Sequence, residues 1–270
     1  MSFQILNEVQ NIMKNKTWMT NLTLLTLTGI ISIAGCGKKE PAEEQPVASS
    51  PATAPAATPI DPATAATVSG TVKFEGVAPK PAKIDMSQDP NCKGSNTAEN
   101  VVVAGGDLAN VFVYVKEGLG NRTFALPKDV VVLDQSGCKY HPHVLGVMAG
   151  QTVKIANSDP TTHNIHPTPK DNREWNESQA PQAPAIEKTF AREEIMLPVK
   201  CNQHPWMKMY ISVTKSPFYA VTGPDGKFEI KGLPPGDYTL AFVHEKLGEQ
   251  DQKVTLGAKE SKILDLSFKP

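Results

Sequence analysis

The chain reads as an all-β protein, and three observations predict it. Short runs rich in β-branched and aromatic residues alternate in polarity, as in Val68-Ser69-Gly70-Thr71-Val72-Lys73-Phe74. Turn-forming clusters of Gly, Pro, Asn and Asp separate these runs at the close spacing of a sandwich or barrel rather than of βαβ units. Helical spacing is confined to short stretches, for example near Lys188 to Glu194. The composition agrees: 19 Gly and 23 Pro in 270 residues, with 40% apolar, 20% charged and 6% aromatic residues. That is turn-rich and globular, which excludes a long coiled coil and a polytopic membrane protein.

The N-terminus reads as an address. Lys14 and Lys16 precede an uncharged run of 13 residues, Leu22 to Ala34. A bilayer span takes about 20 apolar residues, so the run fits the apolar region of a secretory signal peptide instead. Residues 1–12 carry Glu8 and no Lys, and Met13 reads better as the true start. The run ends Ile33-Ala34-Gly35-Cys36, which resembles a bacterial lipobox. The resemblance implies a signal peptide over residues 1–35 and a lipid on Cys36, with Gly37 favouring the outer membrane of a Gram-negative cell. An ordinary signal peptide with a chance Cys is the alternative. Residues 36–67 then form a linker. Half of the 30 residues from Lys38 to Thr67 are Pro or Ala, with no hydrophobic period. Such a segment buries too little surface to offset its ordering entropy and is expected to be disordered. As polyproline II it reaches about 90 Å, at ~3.1 Å per residue.

The folded part begins at Val68. Val111-Phe112-Val113-Tyr114-Val115 is an unbroken apolar strand, and Val130 to Leu133 is another. Val153-Lys154-Ile155, Tyr210-Ile211-Ser212-Val213, Lys227-Phe228-Glu229-Ile230 and Tyr238-Thr239-Leu240-Ala241-Phe242 follow. Ala149-Gly150, Asp225-Gly226 and Pro234-Pro235-Gly236 supply turns between them. The formal net charge is −1 and no Lys/Arg block stands out, which argues against a nucleic-acid partner. No Gly-x-Ser-x-Gly, His-Glu-x-x-His or phosphate loop is present, and the expectation is a protein that is not an enzyme.

The sharpest chemical signal is Cys201-Asn202-Gln203-His204-Pro205-Trp206-Met207. Thiolate, imidazole and thioether at this spacing suit copper, and a His₂Cys set with a weak axial Met is the blue-copper arrangement. The second imidazole must come from elsewhere, and Asn157-Ser158-Asp159-Pro160-Thr161-Thr162-His163-Asn164-Ile165-His166 supplies it. Together with Gly150-Gln151-Thr152-Val153-Lys154-Ile155-Ala156-Asn157, these runs resemble a cupredoxin of the plastocyanin and azurin superfamily, most closely amicyanin. The resemblance spans residues 129–215. It implies one mononuclear type 1 copper held by His163, Cys201 and His204 with Met207 as axial ligand. It also implies that the Asn164 backbone N–H points at the Cys201 sulfur while its side chain pins the ligand loop. His166 is the rival to His163, and Met209 to Met207. His141 and His143 read as surface or packing residues rather than a second metal site, and His244 as structural.

Four Cys are present. With Cys36 lipidated and Cys201 flanked by His and Met, Cys92 and Cys138 are left as the natural disulfide. A disulfide through Cys201 is the alternative.

Residues 221–240, Val221-Thr222-Gly223-Pro224-Asp225-Gly226 through Pro234-Pro235-Gly236-Asp237-Tyr238-Thr239-Leu240, resemble the second half of a carboxypeptidase regulatory-like (transthyretin-like) β-sandwich. Its missing first half resembles Ser69-Gly70-Thr71-Val72 and Leu108 to Val113. Residues 68–128 and 216–270 are therefore expected to be parts of one sandwich, with the copper domain inserted between them. Two domains in series is the alternative. The expected function is a lipid-anchored blue-copper protein that transfers single electrons in a bacterial cell envelope. Its redox protein partners would dock where His204, Pro205 and Trp206 reach the surface. A copper-delivery protein without a redox role, or a structural lipoprotein with a degenerate metal site, are the alternatives.

Overall fold

A computed structural model describes residues 57–270. The signal peptide, Cys36 and the linker up to residue 56 lie outside the described residues. The first strands are β1 (Ala66–Phe74), β2 (Lys83–Ile84), β3 (Asn96–Thr97), β4 (Val103–Ala104), β5 (Asp107–Leu108) and β6 (Phe112–Glu117). A middle stretch follows: β7 (Val131–Ser136), β8 (Lys139–His141), β9 (Val144–Met148), β10 (Thr152–Asn157), β11 (His163–Pro167), β12 (Glu177–Gln179), β13 (Ile186–Thr189), β14 (Glu194–Lys200) and β15 (Lys208–Thr214). The last strands are β16 (Tyr219–Val221), β17 (Lys227–Leu233), β18 (Gly236–His244), β19 (Gly248–Leu256), β20 (Ser261–Ile263) and β21 (Leu266–Phe268). The chain is all-β, with no helix among the described residues.

One sandwich is built from both ends of the described chain. A sheet in the order β17-β1-β5-β4, with β20 and β21 also paired to β1, packs on a sheet in the order β16-β6-β18-β19. β1 alternates its burial, and Val68 lies opposite Ile230 while Val72 lies beside Leu266. Those residues join Val113, Phe228, Leu240, Phe242 and Phe268 in one apolar core. The Asp225-Gly226 turn lets β17 come back along β1. Gly226 has φ +66°, and a side chain there would sit 2.5 Å from the Val72 carbonyl oxygen.

The middle strands build a second sandwich. Its sheets run β13-β10-β7-β8 and β12-β11-β14-β15-β9. The chain crosses between them repeatedly, so β7 runs parallel to β10 and β9 parallel to β15. Leu133, Val153, Ile155, Leu197, Ile211 and Val213 fill the space between the sheets. The two sandwiches meet through Phe112, Tyr114, Val144 and Ala241, with Tyr219 packed against them. This explains the unbroken apolar run of β6. Val113 and Val115 face the first core, while Phe112 and Tyr114 face the joint. At the joint Gly146 is required, since a Cβ there would lie 2.4 Å from the Tyr219 ring.

The segment between β1 and β4 does not stay on its own sandwich. It lies across the second one as a strap, joined by a Cys92–Cys138 disulfide and by Asn96 Nδ2 donating to the Gly137 carbonyl at 2.6 Å. Lys139 and Glu99 pair at 3.1 Å farther along.

Two details differ from the sequence reading. The stretch near Lys188 to Glu194, whose spacing left room for a short helix, is not helical: β13 pairs with β10 from Ile186 opposite Ile155 to Thr189 opposite Thr152. Backbone groups satisfied in a sheet ladder have no reason to nucleate so short a helix. The last residues assigned to the linker are also part of the fold. β1 begins at Ala66, which is 1% exposed, and Thr58 donates its backbone N–H to Thr123 O at 2.7 Å. An Asp61 turn accounts for this order. Its side chain accepts from Ala63 N at 2.8 Å, and its carbonyl accepts from Thr64 N and Ala65 N at 3.1 and 3.0 Å.

Candidate metal centre

Two elements at one end of the second sandwich carry the candidate ligands. His163 opens β11, and Cys201 to Met207 form the turn between β14 and β15. Two backbone bonds tighten that turn: Cys201 N donates to Met207 O at 3.1 Å, and Met207 N to His204 O at 2.9 Å. The Cys201 thiol and one ring nitrogen each of His163 and His204 lie within 4.8 Å of one another. His163 Nδ1 is 2.8 Å from His204 Nδ1, and Cys201 Sγ is 3.6 Å from His204 Nδ1. All three side chains are buried, and Met207 is buried in the same apolar cluster as Cys201.

Both imidazoles have a carboxylate behind them. His163 Nε2 lies 2.8 Å from Asp159 Oδ2, and His204 Nε2 lies 3.0 Å from Asp89 Oδ2. A carboxylate accepts only, so each Nε2 must carry the proton and each Nδ1 presents its lone pair to the shared space. Two imidazole nitrogens 2.8 Å apart, with a thiol beside them, converge on a space where they could hold a metal ion. The donor set is one soft sulfur and two imidazoles, which fits copper. Two other clusters, Asp89-Cys92-His204 and Cys138-Asp159-His163, share these residues, but their cysteines are joined to each other. Cys201 is free and buried.

Asn164 organises the thiol. Its backbone N–H donates to Cys201 Sγ at 3.5 Å, and its Oδ1 accepts from Asn202 N at 2.7 Å. Asn164 Nδ2 in turn donates to Asn176 Oδ1 at 2.5 Å. The buried Tyr140 hydroxyl donates to the Asn164 carbonyl at 2.5 Å, and burial pushes its pKa up, with Cys201 beside it adding to the shift. Burial also pulls the His163 pKa below its ordinary value, against the opposing effect of the hydrogen bond it donates to Asp159. The Thr161 hydroxyl and the Asn91 backbone N–H hold the Asp89 carboxyl at about 2.

The other histidines lie apart from this cluster. His166 points the other way along β11, to Asn202 Oδ1 at 3.0 Å and Glu174 Oε1 at 2.7 Å. His141 Nε2 meets the Ser136 carbonyl at 3.0 Å. His143 Nε2 meets Glu245 Oε1 at 2.6 Å, near the joint of the two sandwiches. The expectation that the His204 edge reaches the surface fails. His204 is only 3% exposed, because the strap residue Asp89 covers Nε2 and Trp206 lies against the ring at 5.1 Å between centroids. Gln203 and Pro205 on either side of it are exposed.

Sequence reasoning missed Asp89, Asp159 and Tyr140. Asp159 stood within the quoted run, four residues before His163, and that spacing was a usable signal. Asp89 had none, since its contact with His204 spans 115 positions.

No protein-family model and no curated protein sequence matches the chain. Several solved structures are similar to part of it. A copper-containing nitrite reductase from Thermus scotoductus SA-01 is 21% identical at a TM-score of 0.31, covering 36% of this chain and 24% of its own. The chain thus spans about a quarter of that enzyme. A purple cupredoxin from Nitrosopumilus maritimus is 21% identical at a TM-score of 0.27, covering 31% of this chain and 99% of its own. Amicyanin from Paracoccus versutus is 22% identical at a TM-score of 0.29, covering 37% of this chain and 96% of its own.

Proposed function

We propose that the chain is a membrane-tethered mononuclear blue-copper protein that passes single electrons in a bacterial cell envelope. The observation that carries this reading is the buried meeting of His163, Cys201 and His204, with both Nδ1 atoms and the sulfur facing one space. Met207, buried in the same turn, would add a thioether to that donor set. Bound there, copper supplies a centre that changes oxidation state by one electron.

The protein's own part is to hold that geometry still. β11 and the tight Cys201–Met207 turn fix the donors from two elements of one scaffold. The Asn164 N–H stabilises negative charge on the Cys201 sulfur, since hydrogen bonds to a ligand orient it and tune the metal. Asp159 sets the ring of His163, and its carboxylate is itself anchored by Gly137 N at 2.6 Å and Cys138 N at 2.8 Å. Redox protein partners dock over the exposed Pro205 and the half-buried Trp206 beside His204. The lipid on Cys36 and the Pro/Ala-rich linker hold the head at a membrane facing the periplasm or the exterior. A protein of this kind is a carrier rather than an enzyme.

The test is the visible spectrum of the full chain with Cu(II). An intense thiolate-to-copper charge-transfer band is expected, and Cys201→Ser should abolish it because the band requires the sulfur. A colourless copper complex, or a band that survives Cys201→Ser, rejects the reading.

A further inference from the structure

We propose that Asp89, carried on the strap that crosses from the first sandwich, is a positioning carboxylate for His204: it fixes the imidazole from outside the metal centre and closes that edge to solvent. This rests on the reading of His163, Cys201 and His204 as ligands.

The geometry is specific. Asp89 Oδ2 faces His204 Nε2 at 3.0 Å and also accepts from the Thr161 hydroxyl at 2.6 Å. Oδ1 accepts from Asn91 N at 2.8 Å. The Asp89 backbone belongs to a compact turn, with its N–H bonded to Met86 O at 3.2 Å and its carbonyl accepting from Cys92 N at 3.0 Å. Three residues on, Cys92 is joined to Cys138. The Cys138 carbonyl accepts from Trp206 Nε1 at 3.1 Å, and its N–H bonds to Asp159. Strap, disulfide and ligand loop therefore form one connected unit around the two imidazoles. Met86 roots the strap in the core of the second sandwich, where it is 5% exposed.

The consequence for His204 follows from its place in the chain. It sits in a turn between two exposed neighbours, where a ring would ordinarily swing toward water. With Nε2–H donated to a carboxylate, the ring keeps one tautomer and one orientation, and Nδ1 becomes a stronger donor. A stronger, more anionic donor set favours the higher oxidation state. Asp89 thus lowers the reduction potential and tightens Cu(II) binding. Loss of such an outer partner typically weakens metal affinity by about 10–100-fold. Each tenfold weakening of Cu(II) relative to Cu(I) raises a one-electron potential by about 59 mV.

The experiment compares the full chain with Asp89→Asn and Asp89→Ala, and with Thr161→Val, which removes the other partner of Oδ2. Cu(II) affinity is measured by chelator competition and the potential by equilibrium redox titration, alongside the charge-transfer band. Asp89→Asn and Asp89→Ala should keep the band but bind Cu(II) about 10–100-fold more weakly and at a higher potential. Thr161→Val should shift both in the same direction by less. Affinity and potential matching the parent in both Asp89 variants would make Asp89 a surface turn residue and overturn the proposal. If an Asp89 variant does not fold, an unchanged potential in Thr161→Val overturns it. Absence of the band in the parent is a different failure, that of the copper reading itself.

Discussion

His244 shows how one buried ring makes stability depend on pH. It is 2% exposed at the end of β18. Its Nδ1 accepts from the backbone N–H groups of Lys246 and Leu247 at 3.2 and 3.3 Å, and its Nε2 is buried without a partner. A proton on Nδ1 would face two donors, so the fold holds the ring neutral. Burial pushes its pKa down to about 4; the charge of Glu245 opposes this and that of His143 adds to it. The unfolded chain takes up the proton near 6.5, so between about 6.5 and 4 the unfolded state binds more protons. Stability should therefore fall as pH is lowered through that window, by up to about 1.4 kcal/mol per pH unit from this residue. Unfolding midpoints of parent and His244→Gln, measured from pH 7 to 4, check it: the variant should lose this component, and parallel profiles would refute the assignment. Residues of this kind are hard to read in a sequence. Cys201, His204 and Met207 stood out because three ligating side chains crowd one short turn, and His163 because an Asn follows it. Asp89 and His244 carry no local pattern. Their roles come from what the fold lays against them.

At the scale of the element, the strap is the part that sequence pattern could not supply. Its strands are two residues long, and its path over the second sandwich is set by side chains rather than by a ladder. Alternation of polarity made β1, β10, β17 and β18 legible, because each has one buried face. The strap has no such face and reads as loop. Only cysteine arithmetic tied it to anything. The disulfide closes a separation of 46 residues. In the chain-entropy account a loop of that length stabilises the folded state by about 4 kcal/mol. The double variant Cys92→Ser/Cys138→Ser should lower unfolding stability by that order in denaturant titration. It should also raise proteolytic cleavage between Asp85 and Thr97, because the segment is then held without a covalent link, by Asn96–Gly137, by Asp89 with Thr161 and His204, and by the buried Met86. A double variant as stable as the parent would mean that the strap is secured by those bonds and by Met86 without the covalent link.

At the scale of the whole molecule, the first sandwich depends on chain segments far apart in sequence. β1 pairs with β17, β20 and β21, and β6 with β16 and β18. Thr71 N even bonds Asp265 Oδ1, 194 positions away. By contrast, none of the described strands from β7 to β15 pairs with β16 to β21. A chain ending at Lys215 therefore loses half of one sandwich and no ladder of the other. Val68, Val72, Val113 and Leu108 would lose Phe228, Ile230, Leu240 and Phe242 from their core, and strands left with one apolar face in water do not hold together. Limited proteolysis of that shortened chain should cut readily within β1 and β6 while sparing β7 to β15. The Cys92–Cys138 bond should keep the Asp89 turn attached to the surviving sandwich. The Cu(II) band should persist, since His163, Cys201, His204 and Met207 all lie before the cut. Equal protection of β1 and β6 in the shortened and full chains would mean that these early strands draw their stability from the middle sandwich, as two domains in series would.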